Sequence, residues 1–208
     1  MIISIINEKG GVGKTTLSTN LARAIQLSGK RVLLIDSDPQ GSLRDWHAVA
    51  GEENDLPPVV AMDRATQFKD LQTLAKGYDF TIIDGAPSVK ELAVAAIKNS
   101  DLLLIPVQPS PYDIWAAESL VELVKQRIEV GAPLKAAFVI SRQITGTKLS
   151  TDVREALTGY ELPVLENGTY QRVSYPTTAA KGGTVFDEDG DTPAKFEMKQ
   201  LAKEVLDI

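Results

Sequence analysis

Residues 2–6 (IISII) form an apolar, isoleucine-rich run, and Leu17 to Ile25 carries apolar side chains at helical spacing; EKGGVGKTT, residues 8–16, lies between them. A strand therefore runs into a loop holding Gly10, Gly11 and Gly13, and the loop runs into a helix. Glycines in such a loop let backbone N–H groups turn inward around an anion, and the helix that follows adds the positive end of its dipole. The passage predicts a phosphate cradle, with Lys9 and Lys14 at the two ends of the glycine run.

Similar apolar runs recur at 32–35, 80–83, 102–107 and 136–140, with a weaker candidate at 163–165. Segments with helical spacing lie between or after them, at 15–28, 64–76, 89–98 and 113–129, and a last helix is predicted over about 193–206. Strands alternating with helices imply right-handed crossovers and an α/β fold, doubly wound, with a mostly parallel sheet covered by helices on both faces. No linker, repeat or low-complexity tract divides the 208 residues, so a single domain over 1–208 is expected, with a surface loop at 182–193. No stretch approaches the roughly 20 apolar residues that cross a bilayer, and the chain is expected in the cytoplasm. The absence of cysteine excludes a disulfide framework, a cysteine zinc site and a thiolate-bound iron–sulfur cluster. His47 is the one histidine and reads as a solvated side chain after Trp46. A net charge of −6 gives no bulk attraction to nucleic acid, which leaves only local basic patches for that task.

In parallel sheets ligands sit at the carboxyl ends of the strands. The residues following the five runs are EKGGVGKTT, DSDPQGS, DGAPS, QPSPYD and SRQ, all expected to open onto one crevice. Lys14 is placed to reach terminal phosphates, Thr15 to ligate Mg²⁺ through its hydroxyl and Thr16 to hold the α-phosphate. Glu8 stands where the common phosphate-loop pattern has its first glycine. Asp84 ends the third run, where phosphate-loop enzymes keep the acid that holds Mg²⁺. Asp36 and Asp38 add two carboxylates after the second run; Asp38, further out, is the candidate for orienting an attacking water.

KGGVGKTT at 9–16, DSDPQGS at 36–42, FTIIDGAPS at 80–88 and IPVQPSPYD at 105–113 resemble the deviant Walker A, Walker A′, Walker B and following segments of the ParA/MinD family of P-loop ATPases. The chain is most similar to short ParA proteins, which lack an N-terminal helix-turn-helix domain. The resemblance implies ATP and Mg²⁺ as ligands. ATP would be bound by Lys9, Gly10, Gly11, Val12, Gly13, Lys14, Thr15, Thr16 and Asp84, with Arg142 towards the adenine; Mg²⁺ would be held by Thr15, Asp84 and Asp38, partly through water. It also implies that Lys9 reaches across an ATP-sandwich homodimer to phosphates on the other subunit, so that Lys9, Lys14 and Asp38 are the catalytic set. A second cation in trans neutralises charge on the transferring group and ties hydrolysis to dimerisation. Gly85, Ala86 and Pro87 take the place of switch II.

Members of this family act on different surfaces. For ParA-like proteins the surface is non-specific DNA, so the resemblance implies a nucleoid-associated ATPase that partitions or positions cargo, with hydrolysis stimulated by a centromere-binding or adaptor protein. Such binding rests on phosphate contacts from Lys and Arg. From residue 135 onward there are nine Lys and Arg against eleven Asp and Glu, so the patch must be local; Arg172, at a family position linked to DNA, and Lys181, Lys195, Lys199 and Lys203 are its candidates. The alternatives are a MinD-like membrane-associated regulator and a metabolic P-loop enzyme acting on a small substrate. Against the first, the C-terminal apolar stripe of Met198, Leu201, Ala202, Val205 and Leu206 reads as core packing, and no membrane partner is expected.

Overall fold

The computed structural model describes residues 1–51, 54–87 and 89–208. Among them six strands form one sheet: β1 (Ile2–Ile5), β2 (Val32–Asp36), β3 (Val59–Ala61), β4 (Phe80–Asp84), β5 (Leu102–Val107) and β6 (Lys135–Ile140). Their order is β3-β2-β4-β1-β5-β6, and every pair is parallel. The central strands are apolar on both faces because helices cover both. On one face Ile3, Ile5, Leu34, Ile82 and Leu104 pack with α1 (Lys14–Leu27) and α9 (Pro193–Leu206). On the other, Ile6, Leu33, Ile83 and Leu103 pack with α4 (Lys90–Asn99) and α6 (Glu118–Glu129). The expected doubly wound α/β sheet is thus the fold observed.

The remaining helices are α2 (Ser42–Ala50), α3 (Leu71–Ala75), α5 (Pro111–Ala116), α7 (Leu149–Thr158) and α8 (Ser174–Ala179). Several local expectations need correction. β3 was not foreseen: three half-buried residues at a sheet edge give too short an apolar run. The 163–165 candidate makes only an isolated bridge, from Val164 to Phe138. The helical segment 64–76 is a 3₁₀ turn over Ala65–Asp70 followed by α3. The segment 113–129 begins at Pro111, whose fixed φ suits a first helical position, and is split at Ala117 into α5 and α6. The 182–193 stretch is more than a surface loop: Thr184 and Val185 are fully buried, and the Val185 N–H donates 2.9 Å to Asn20 Oδ1 on α1. The C-terminal stripe lies in the core at Met198, Leu201, Ala202 and Val205, while Leu206 is exposed. No helix among the described residues is long and apolar enough to cross a membrane.

The helix after β1 lies on one face of the sheet, whereas those after its neighbours β4 and β5 lie on the other. The chain paths diverge there, and the crevice at the carboxyl end of β1 is where a ligand fits.

Candidate nucleotide-binding site

A cleft of about 940 Å³ opens at that point. Its near wall is the glycine loop. Gly11 and Gly13 have φ of +77° and +91°, left-handed values that side chains with a Cβ resist. Gly13 is also the N-cap of α1 and supplies no side-chain acceptor, so the first N–H groups of the helix remain available to an anion. Gly10, Gly11, Gly13, Lys14, Thr15, Thr16 and Arg142 line the cleft, together with Asp38. Val12 turns its side chain into the core, and its carbonyl accepts from Ser141 Oγ at 2.8 Å. What Val12 can offer a ligand is therefore backbone.

Lys14 is 7% exposed, and its Nζ donates to the Lys9 carbonyl at 2.9 Å. Burial lowers its pKa; the charges of Asp84 and Asp38 oppose that shift. Asp84, at the end of β4, is also buried, with Thr15 Oγ1 donating to Oδ2 at 2.7 Å and Ser18 Oγ donating to Oδ1 at 2.8 Å. Burial pushes the Asp84 carboxyl up to about 7; the two hydroxyl donors and Lys14 pull the other way, and the facing Asp36 adds to the rise. A carboxylate held this deep with a threonine hydroxyl beside it is a hard-oxygen donor set lacking enough positive charge, which fits Mg²⁺. Thr15 and Asp84 would hold the ion, and Asp38, on the same cleft, would reach it through water. Ser18 is a site residue that sequence reasoning missed; the signal was its place one helical turn after Lys14 and Thr15.

Asp38 sits in a tight turn. Its Oδ1 accepts from Gln40 N at 2.9 Å and its carbonyl from Gly41 N at 2.9 Å. Below it the fully buried Asp36 accepts from Asp38 N at 3.0 Å.

The segment after β5 does not line the cleft but braces the glycine loop from behind. Gln108 Nε2 donates to Gly11 O at 2.7 Å, Asn7 Nδ2 donates to Pro106 O at 2.8 Å, and Asn7 Oδ1 accepts from Lys9 N at 2.9 Å. The Lys9 ammonium is ion-paired with Asp113, which is 1% exposed and sits on α5. Asp113, Gln108 and Asn7 were not singled out from sequence, because their partners lie about 100 residues away. Glu8, the departure from the common phosphate-loop pattern, accepts from Ser119 Oγ at 2.9 Å.

On the far side of the loop Arg142, at φ +54°, donates from its guanidinium to Gly11 O at 3.3 Å and from its N–H to Thr169 Oγ1 at 3.1 Å. The opposite wall of the cleft runs from Thr169 through Tyr170, Gln171 and Arg172 to Val173. Arg172, a DNA candidate, lies over the Tyr170 ring and is ion-paired with Glu197, a buried carboxylate of α9 that also accepts from Tyr170 N and Tyr175 Oη, each at 3.2 Å. Lys195 donates to the carbonyls of Glu188 and Gly190. Lys181 is exposed just after α8, and Lys199 and Lys203 are exposed one turn apart on α9, Lys199 lying 3.9 Å from Asp191. Gly85, Ala86 and Pro87 follow β4 as expected, with Pro87 on the cleft; Ser88, the last residue of the FTIIDGAPS motif, lies outside the described residues.

Residues 3–185 match the model of the CobQ/CobB/MinD/ParA nucleotide binding domain. The chain is 31% identical over 208 residues to maintenance of carboxysome distribution protein A of Halothiobacillus neapolitanus, an alignment spanning 98% of this chain and 95% of that one. It is 26% identical to the chromosome-partitioning ATPase Soj of Thermus thermophilus, over 98% of this chain and 94% of the other. Its fold superimposes on that of a Cyanothece McdA–ATP complex with a TM-score of 0.80 at 19% identity, covering 100% and 96% of the two chains. The chain belongs to the CobQ/CobB/MinD/ParA nucleotide-binding domain family, among the ParA/MinD-type P-loop ATPases.

Proposed function

We propose that this protein is a ParA-type ATPase. It binds ATP·Mg²⁺ in the cleft, pairs with a second copy around two nucleotides, binds DNA non-specifically in that state and positions a cargo through partner-stimulated hydrolysis. The observation that carries this reading is the convergence of Lys14, Thr15 and Asp84 at the uncapped start of α1, with a second lysine, Lys9, four residues before the Gly13–Lys14 step. The loop N–H groups and Lys14 hold the β- and γ-phosphates. Mg²⁺, when bound, neutralises charge on those oxygens. Asp38 orients the attacking water, and Lys9 supplies positive charge to the neighbouring subunit's nucleotide.

The two relatives are named for the distribution of carboxysomes and for chromosome partitioning, which supports a positioning task on the nucleoid. The test is binding to random-sequence DNA with ATP·Mg²⁺ and with ADP·Mg²⁺ over a salt series, with liposomes in parallel and Asp38→Ala as a trapped form. Salt-sensitive DNA binding with ATP only, accompanied by an ATP-dependent dimer in light scattering, is the expected result. Binding to liposomes instead would move the protein to the membrane-associated branch. ATP turnover by a monomer that binds neither would move it to small-substrate chemistry.

A further inference from the structure

Arg44 lies in the first turn of α2 and belongs to none of the motifs, yet its side chain bonds both the Asp38 turn and two acids. Its Nε donates 3.1 Å to Asp36 Oδ2, which also accepts the Arg44 backbone N–H at 3.0 Å. One terminal nitrogen donates 3.3 Å to Asp63 Oδ2, and the other donates 2.9 Å to the Asp38 carbonyl. Asp36 is fully buried at the end of β2, where its backbone is paired with β3 and β4. The guanidinium plane also fills the place a side chain would take on Gly41, where an added Cβ would sit 3.1 Å from the nearer terminal nitrogen.

We infer that Arg44 is the positioning residue for Asp38: it ties the turn that carries the water-orienting carboxylate to two acids, the buried Asp36 at the end of β2 and Asp63 just beyond β3. The inference rests on the reading of Asp38 above. The chemistry favours arginine specifically. Three acceptors lie in three directions around one plane, and a planar fork of donors can meet all of them where a lysine ammonium meets one or two. Asp38 itself spends one carboxylate oxygen on the turn, so the aim of the other depends on how firmly the turn is held. Displacing a reacting group by about 1 Å costs about a hundredfold in rate.

The experiment measures ATP dissociation constants and kcat for Arg44→Ala, Arg44→Lys, Asp63→Asn and Asp38→Ala. Arg44→Ala is expected to lower kcat by about tenfold to a hundredfold while ATP affinity changes less than about twofold. Arg44→Lys recovers part of the loss. Asp63→Asn loses several-fold, and its effect largely vanishes in the Arg44→Ala background because both act through one network. Asp38→Ala separates the two claims: if it hydrolyses ATP normally, the assignment of Asp38 fails first. If Asp38→Ala is inactive while Arg44→Ala turns over like the wild type, the positioning role is overturned. Should Arg44→Ala fail to fold, Arg44→Lys and Asp63→Asn decide, and wild-type kcat in both overturns it equally.

Discussion

The Lys9 ammonium is ion-paired with Asp113 of the same chain, 104 residues later, and the carboxylate it meets is buried while the lysine side chain is 39% exposed. In the role proposed for it Lys9 must point away from its own subunit. The pair is therefore one resting arrangement of the loop, and crossing to a second subunit requires Lys9 to leave a buried acid that then needs another donor. Gln108 N–H already contributes one at 3.3 Å.

Lys9→Ala consequently acts twice. Without nucleotide it strands the Asp113 charge, and stability falls by about 1–3 kcal/mol, less than for a fully buried pair because Lys9 is partly solvated. With ATP it leaves single-subunit binding intact but abolishes dimer-dependent hydrolysis. Denaturant melts of the apo protein and turnover against protein concentration check the two effects separately. Unchanged ATPase activity would return Lys9 to a structural part alone.

Lys14→Ala should weaken ATP binding by about a hundredfold, the loss expected when a charge-assisted contact worth up to about 3 kcal/mol disappears. Its Nζ bonds a carbonyl of its own loop, so the loop backbone also loses a tether. Calorimetric titration with ATP is the measurement, and normal affinity would remove the cradle as the nucleotide site.

Asp84 predicts the pH response. Its folded pKa, pushed up to about 7, lies above the ordinary value of 3.8, so folding favours the protonated form. Its contribution to stability is fully present below about pH 4, declines as pH rises towards 7 and is flat above. Asp84→Asn should therefore stabilise the metal-free protein at pH 8, by up to about 4 kcal/mol, and flatten this part of the profile. The same substitution should abolish Mg²⁺-dependent turnover. Urea melts of both forms at pH 5 and pH 8 without divalent cations decide it; parallel pH profiles would show that Asp84 is not the titrating group.

Arg172→Ala is a poor single probe of DNA binding. It leaves Glu197, 7% exposed, without its cation, and should lower stability by about 2 kcal/mol or more besides any effect on DNA. Lys199→Ala and Lys203→Ala carry no such penalty, since both side chains are exposed. If these two weaken DNA binding and reduce its salt slope by about 1 each while thermal melts stay unchanged, the patch lies on α9. Normal binding by both would take these two lysines off the DNA surface.

Five of the six strands and the glycine loop were legible because each is a local pattern: a continuous apolar run read as a strand buried on both faces, and glycines followed by Gly-Lys-Thr at the entry to a helix. β3, the 3₁₀ turn before α3 and the buried 184–185 segment were not, since partly buried or single buried residues leave no period to read. The site divides along the same line. Lys14, Thr15, Asp84 and Asp38 announce themselves by position after a strand. Asn7, Ser18, Arg44, Gln108 and Asp113 do not.

By itself the sequence determined the fold class, the family and the loop residues that line the cleft at the start of α1, because these follow from spacing along one strand–loop–helix unit repeated through the chain. Only the tertiary structure decided which partners those residues have: that Lys9 rests on Asp113, that Ser18 shares Asp84 with Thr15, that Arg44 spans Asp36, Asp63 and the Asp38 turn, and that Arg172 belongs to Glu197. Ion pairs and hydrogen bonds act over about 3–4 Å, and residues come within that range through sheet order and helix packing, which no local pattern encodes.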